Sequence, residues 1–307
     1  MEWFKGAYLN YSESALSRRD DHPALVSWSE SRPQSTLSYL ELYRQTAACA
    51  AGLRKLGVVR GDRVVAVMPN ISETVVAFLA TASIGAIWSS CSPEFGISSM
   101  VDRFRQIEPC VLIAVDGYRY QGKPYDMTDT VSKLQLSLPT LKTTVIVPLV
   151  DSHLNQGSVC EVYTWKDLFD QQSELLFESL PFDHPLWVLY SSGTTGLPKA
   201  IVQGHGGILL EHLKTQSLHL DLNSDDRFFW FTSTGWMMWN FLVSGLSLGA
   251  TVVLYDGHPT YPDAGSLWRF AEETGVTYFG TSASYIHACM RDGVVPNRDF
   301  ELGCLRG

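Results

Sequence analysis

No two cysteines of this 307-residue chain stand in a C-x-x-C spacing, and no Cys/His set has metal-ligand spacing. That excludes a zinc ribbon or a disulfide scaffold. Cys49, Cys91, Cys110, Cys160, Cys289 and Cys304 read as reduced thiols of a cytoplasmic protein, and no protein metal ligands are expected. Charge is scarce, at 18%, and a basic tract is absent: 23 Lys and Arg face 32 Asp and Glu, for a net −9. Such a chain is a poor partner for a nucleic-acid backbone. Long apolar runs are missing too. The most apolar stretch, 239–255, is interrupted by Asn240, Ser244, Ser247, Gly249 and Thr251, so it reads as a buried helix followed by a buried strand rather than a membrane span. The opening Met1-Glu2-Trp3-Phe4-Lys5 lacks the apolar core of a secretory leader. There is no fixed-period repeat and no low-complexity tract. What is present is 45% apolar residues, and aromatics make up 12% of the chain, which excludes wholesale disorder.

The length leaves room for about two domains. Short apolar runs alternate with segments of helical period. Strands are expected at 24–26, 63–68, 86–88, 111–115, 144–147, 187–190, 200–202, 228–231, 252–254 and 276–279. Helices are expected over 37–56, after a cap at Ser72, over 98–107 and over 208–218. Unbroken strands such as Val111-Leu112-Ile113-Ala114-Val115 are buried on both faces in parallel sheets. The fold class is therefore α/β, with parallel or mixed sheets covered by helices. The polar stretch 152–159 and the proline-bearing stretch 174–185 mark a boundary. It divides a first subdomain, 1–180, from a second, 181–307.

One segment carries chemistry: Tyr190-Ser191-Ser192-Gly193-Thr194-Thr195-Gly196-Leu197-Pro198-Lys199. It follows a buried strand. Gly193 and Gly196 let the backbone turn and present N–H groups. Ser191, Ser192, Thr194 and Thr195 add hydroxyl donors, and Lys199 supplies a point cation. Together they suit a polyphosphate and the charge of a pyrophosphate leaving group. The spacing is not that of the P-loop, because the glycines are three apart and Pro198 precedes the lysine. The bland alternative is a flexible Ser/Gly connection.

This string resembles the signature loop of the adenylate-forming acyl-CoA synthetase superfamily, and other strings bring the chain close to its acetoacetate-activating branch. They include Trp3-Phe4-Lys5-Gly6-Ala7, Gly85-Ala86-Ile87-Trp88-Ser89-Ser90, Ser92-Pro93-Glu94-Phe95-Gly96, Gly235-Trp236-Met237-Met238-Trp239-Asn240 and Val253-Leu254-Tyr255-Asp256-Gly257. The resemblance implies ATP, Mg²⁺ and coenzyme A as cosubstrates, with acetoacetate as the acyl substrate. A carboxylate would attack the α-phosphorus of ATP, and the coenzyme A thiol would then displace AMP. It implies Lys199 as the catalytic cation and residues 191–196 as the phosphate cradle. It further implies Trp236 and Met237 as lining of the acyl pocket, and Arg103 as a contact for coenzyme A phosphates. By residue type alone, Trp236 and Met237 suit a packed core equally. Arg103, between Asp102 and Arg105, suits a solvated helix face.

Some residues depart from the pattern. Ala200 stands where many relatives carry glycine, and Gln203 where close relatives carry histidine; His205 reads as a helix-start residue. Asp225-Asp226-Arg227 and Glu272-Glu273 read as solvated turns and helix ends. The resemblance also implies segments outside these residues: an adenine-closing segment, an acidic ribose ligand, a hinge and a small C-terminal lid domain with the adenylation lysine. On that basis the second sheet is expected to be incomplete and the chain alone inactive. The alternatives are a synthetase for another short-chain acid, such as acetate or propionate, and a non-catalytic protein that binds nucleotide or a partner.

Overall fold

The structure is a computed structural model and describes residues 3–150, 160–169, 174–191 and 196–307. The expected polar stretch 152–159 lies outside the described residues, as do Ser192, Gly193, Thr194 and Thr195. Twelve strands build two main sheets. In chain order they are β1 (Pro23–Ser29), β2 (Arg32–Ser38), β3 (Arg63–Val67), β4 (Ile87–Cys91), β5 (Val111–Val115), β6 (Thr143–Val147) and β7 (Glu161–Thr164). They continue with β8 (Pro185–Ser191), β9 (Lys199–Gly204), β10 (Arg227–Trp230), β11 (Thr251–Asp256) and β12 (Tyr278–Gly280). The first sheet has the order β7-β6-β5-β3-β4-β8-β9 and the second β12-β10-β11-β1-β2. All neighbours are parallel except the hairpin pairs β8–β9 and β1–β2. The α/β class with parallel and mixed sheets is as the alternation implied.

Chain order and sheet membership are interleaved. β1 pairs with β11, Val26 opposite Val253, and so joins strands more than two hundred residues later. β8 and β9 complete the sheet begun by β3. Each sheet thus draws strands from both sides of residue 180. The outer strand of the second sheet, β12, has three residues. Along its outer side Phe279 N–H donates to Gly307 O at 2.9 Å, and Arg306 N–H donates to Thr277 O at 2.8 Å.

Helix α1 (Tyr39–Lys55) opens with a capping box in which Ser38 and Glu41 satisfy each other's backbone N–H. Helix α2 (Ser72–Ser83) has eleven of its twelve residues buried. A helix apolar on all sides is one enclosed by other elements. The Phe78 ring shows what encloses it, with centroids of Trp187 at 5.5 Å and Trp239 at 5.9 Å. Trp187 belongs to the first sheet, and Trp239 to helix α5 (Met237–Val243), after helices α3 (Ile97–Phe104) and α4 (His205–Leu213). Phe78→Ala would open a void at this junction, at a cost of about 3–5 kcal/mol.

Three local expectations change. Ser72 is the first helical residue of α2, not its cap; Ile71 holds the cap position and offers no side-chain oxygen. Helix α4 starts three residues before the expected 208, at His205, in keeping with its reading as a helix-start residue; its buried imidazole is anchored there, Nδ1 accepting from Tyr11 N–H at 3.1 Å. Asp226 is buried rather than solvated. It accepts from Arg306 Nε at 2.8 Å, Thr277 Oγ1 at 2.7 Å and Asn223 N–H at 2.9 Å. Burial acts to raise its carboxyl, but these donors outweigh it and hold the group below the usual carboxylate range. The 239–255 stretch is the helix and strand expected of it. Among the described residues no helix is long and apolar enough to cross a membrane, and all six cysteines are unpaired.

Candidate functional site

In sheets of parallel strands, ligands sit outside the carboxyl ends. β8 runs parallel to β4, with Trp187 opposite Trp88, so the loop after Ser191 opens at the same edge as the loops after β3 and β4. Ser191 and Lys199 face each other as the last pair of the antiparallel β8–β9 ladder. The ladder thus closes the base of the loop. Lys199 is exposed, and so is Gly196. A Cβ added at Gly196 would meet nothing within 4 Å, and its φ is not in the left-handed region. Open space, not a strained turn, is what glycine provides there. The returning arm is tied to the segment after α3: Gln106 Nε2 donates to Pro198 O at 2.9 Å.

Arg103 sits against Tyr190, in the strand that leads into this loop, rather than on a solvated face. It is half-buried. Its guanidinium carbon is 5.2 Å from the Phe95 ring centre and 5.9 Å from that of Tyr190. Nη1 donates to Ser99 O at 2.8 Å, and Tyr190 Oη donates to Arg103 O at 2.7 Å. The aromatic faces hold the cation by the ring quadrupole and fix its direction.

A cavity of about 640 Å³ lies at the same carboxyl edge. Asn70, Glu94, Ser233, Asp256 and Thr281 reach it from the ends of β3, β4, β10, β11 and β12 respectively. Trp236 and Met237, at the start of α5, complete its wall and are 59% and 50% exposed. They are therefore cavity lining and not core. The core position is Trp239, fully buried, whose Nε1 donates to Asn70 Oδ1 at 2.9 Å. The turn into α5 needs a glycine: a Cβ on Gly235 would stand 2.8 Å from the Phe95 ring. A second cavity of about 750 Å³ shares Met237, Met238 and Trp230 with the first and extends to Gln203, His212 and Phe279. Met237 and Met238 thus form a partition with space on both sides.

Two features of the first cavity escaped the sequence reading. Asp256 is buried and accepts from Ser29 Oγ at 2.6 Å. Burial pushes its carboxyl up to about 7; the Ser29 hydrogen bond opposes this and the Glu94 charge adds to it. Asn70 Nδ2 is buried without a partner among the described residues. The available signal was position: Asp256 ends an apolar strand just before Gly257, where a parallel strand meets its ligand edge. His205 and His212 are buried, and burial holds their imidazoles down to about 3 and about 4. They face Tyr11.

The 191–199 segment leaves and rejoins the first sheet at the carboxyl edge at which the 640 Å³ cavity lies. The family model for AMP-binding enzymes matches residues 12–305, and the chain belongs to that family. More particularly, it is similar to acetoacetyl-CoA synthetases. It is 43% identical over 295 residues to the acetoacetyl-CoA synthetase of Danio rerio, covering 93% of this chain and 44% of that protein. It is 45% identical over 307 residues to the acetoacetyl-coenzyme A synthetase of Rhizobium meliloti (strain 1021), covering 99% of this chain and 47% of that protein. The solved acetoacetyl-CoA synthetase from Streptomyces lividans superposes with a TM-score of 0.95 at 54% identity, over 99% of this chain and 47% of that one. The chain spans about half the length of the relatives it matches.

Proposed function

We propose that the chain carries the phosphate and acyl sites of an ATP-dependent, AMP-forming acetoacetate–CoA ligase. The observation that supports this best is the likeness to acetoacetyl-CoA synthetase along 99% of the chain, with the 191–199 loop at the ligand edge of the sheet. In this reading Ser191, Ser192, Gly193, Thr194, Thr195 and Gly196 cradle the β- and γ-phosphates, and Lys199 neutralises charge on the departing pyrophosphate. Mg²⁺ arrives with the nucleotide's phosphates and spreads the same charge. The acetoacetate carboxylate attacks the α-phosphorus, the bond to pyrophosphate breaks, and the acyl-adenylate forms. The coenzyme A thiol then adds to the acyl carbon and AMP leaves. Positioning dominates such chemistry. Trp236 and Met237 hold the acyl chain, and Arg103 meets the phosphates of coenzyme A. Six unpaired thiols accord with a reducing cytoplasm.

Substrate choice is tested by saturation-transfer NMR on the purified chain with acetoacetate, acetate and propionate. Acetoacetate should show saturable contact that Met237→Ala and Trp236→Ala each weaken. Equal contact by acetate or propionate would move the assignment to another short-chain acid.

A further inference from the structure

We propose that the cleft between the β1–β2 hairpin and the N-terminus of α2 binds a small oxyanion, either orthophosphate or the phosphate group of a small ester. The cleft has a volume of about 420 Å³ and shares no lining residue with the 640 Å³ cavity. Its size is that of a small-molecule site. Ser27, Arg32, Ser35, Gln45, Ser72 and Glu73 line it.

Three observations converge there. First, α2 is twelve residues long and enters the cleft without a side-chain cap, because the cap position is Ile71. Thr74 N–H donates to Ile71 O at 3.1 Å, whereas the Ser72 and Glu73 N–H groups have no acceptor among the described residues and carry the positive end of the dipole. Second, the Ser72 side chain is nine-tenths buried, and its Oγ has no partner among the described residues. A buried hydroxyl without a partner costs about 1–3 kcal/mol, and a ligand oxygen would recover that. Third, Arg32 lies across the cleft with its guanidinium already fixed, Nη1 paired with Glu73 and Nη2 donating to Pro148 O. The fork is held without being spent, since Nε remains. Helix N–H groups, a hydroxyl donor and an arginine are the donor set of an oxyanion. The Glu73 carboxylate takes up part of the arginine's charge, so the site suits one phosphate group and not a polyphosphate.

The test is an amide NMR titration of the ¹⁵N-labelled chain with sodium phosphate against sodium chloride at matched ionic strength. Saturable shifts are expected at Ser72 and Glu73, whose N–H groups are the ones left for a ligand. Ser72→Ala and Arg32→Met should each weaken binding roughly tenfold, the loss of about one charge-assisted hydrogen bond. Ser72→Thr, which keeps the hydroxyl, should retain it, and the same spectra report whether each variant is folded. Lys199→Ala should leave the α2 shifts unchanged, which separates this cleft from the nucleotide loop. Glycerol 3-phosphate binding more tightly than orthophosphate assigns an ester, and equal binding assigns the free ion. Absence of saturable shifts at α2, identical affinity in Ser72→Ala and Arg32→Met, or loss in Lys199→Ala would each overturn the proposal.

Discussion

The hydroxyl of Tyr190 donates to the carbonyl oxygen of Arg103 at 2.7 Å, while the Arg103 guanidinium carbon lies 5.9 Å from the same ring. The strand that leads into the 191–199 loop and the helix that carries the arginine are therefore fixed to one another at this pair. If Arg103 meets coenzyme A phosphates, Arg103→Ala should weaken coenzyme A binding to the chain by about tenfold, the worth of a charge-assisted contact. Pantetheine, which lacks the nucleotide, should bind equally to both. Calorimetry that finds the same coenzyme A affinity in the variant removes the role.

Asp256 gives a stability signature with a definite sign. Its native carboxyl is raised from 3.8 to about 7, so the folded state favours the protonated form. Its contribution is intact below pH 4, declines as pH rises towards 7, and stays lost above that. Asp256→Asn keeps an acceptor for the Ser29 hydroxyl and removes the charge. It should raise the melting temperature by a few degrees at pH 8, corresponding to roughly 1–3 kcal/mol, and give no gain at pH 4. A melting temperature that is unaltered at pH 8 contradicts the buried-charge reading.

The two buried histidines act in the opposite direction. Native His205 and His212 resist protonation, holding to about 3 and about 4 against an ordinary 6.5. The stability this confers is complete above pH 6.5 and is lost as pH falls towards 4. His205 Nδ1 must stay unprotonated to accept the Tyr11 N–H. The melting temperature should fall between pH 7 and pH 4.5, and less steeply in His212→Gln. Parallel slopes in the two proteins would assign the acid sensitivity to other groups.

Much of this fold could be read along the chain because parallel strands buried on both faces are written as unbroken apolar runs, as in 111–115 and 143–147. The 191–199 string stood out in the sequence for a related reason, since its hydroxyls, glycines and lysine are nearly consecutive. Pairings between distant segments were not. Nothing local in Pro23–Ser29 says that it will lie beside Thr251–Asp256, and Asp226 looks solvated until Arg306, eighty residues on, reaches it. Trp236 and Trp239 are the same residue type three positions apart, one exposed on a cavity and one fully buried. Composition cannot separate them; the direction of α5 against α2 does. Asn70, Glu94 and Asp256 meet only because three strand ends share one edge of the molecule.

The central claim, that the 191–199 loop is the polyphosphate site of an acetoacetate-activating ligase, is tested most directly by ATP binding to the purified 307-residue chain with and without Lys199→Ala, in the presence of Mg²⁺. Lys199 is exposed at the closed base of the loop, so its removal should subtract a charge-assisted contact and leave the fold intact. Weak, saturable binding is expected that drops about tenfold in the variant. Acetoacetate and coenzyme A added to the same mixture should yield no acetoacetyl-CoA, because this chain corresponds to only about half the length of its relatives and each missing transition-state contact costs about 10²–10³ in rate. Equal ATP affinity in the two proteins would contradict the loop assignment. Acetoacetyl-CoA formed above the Lys199→Ala control would show instead that these residues complete the chemistry by themselves.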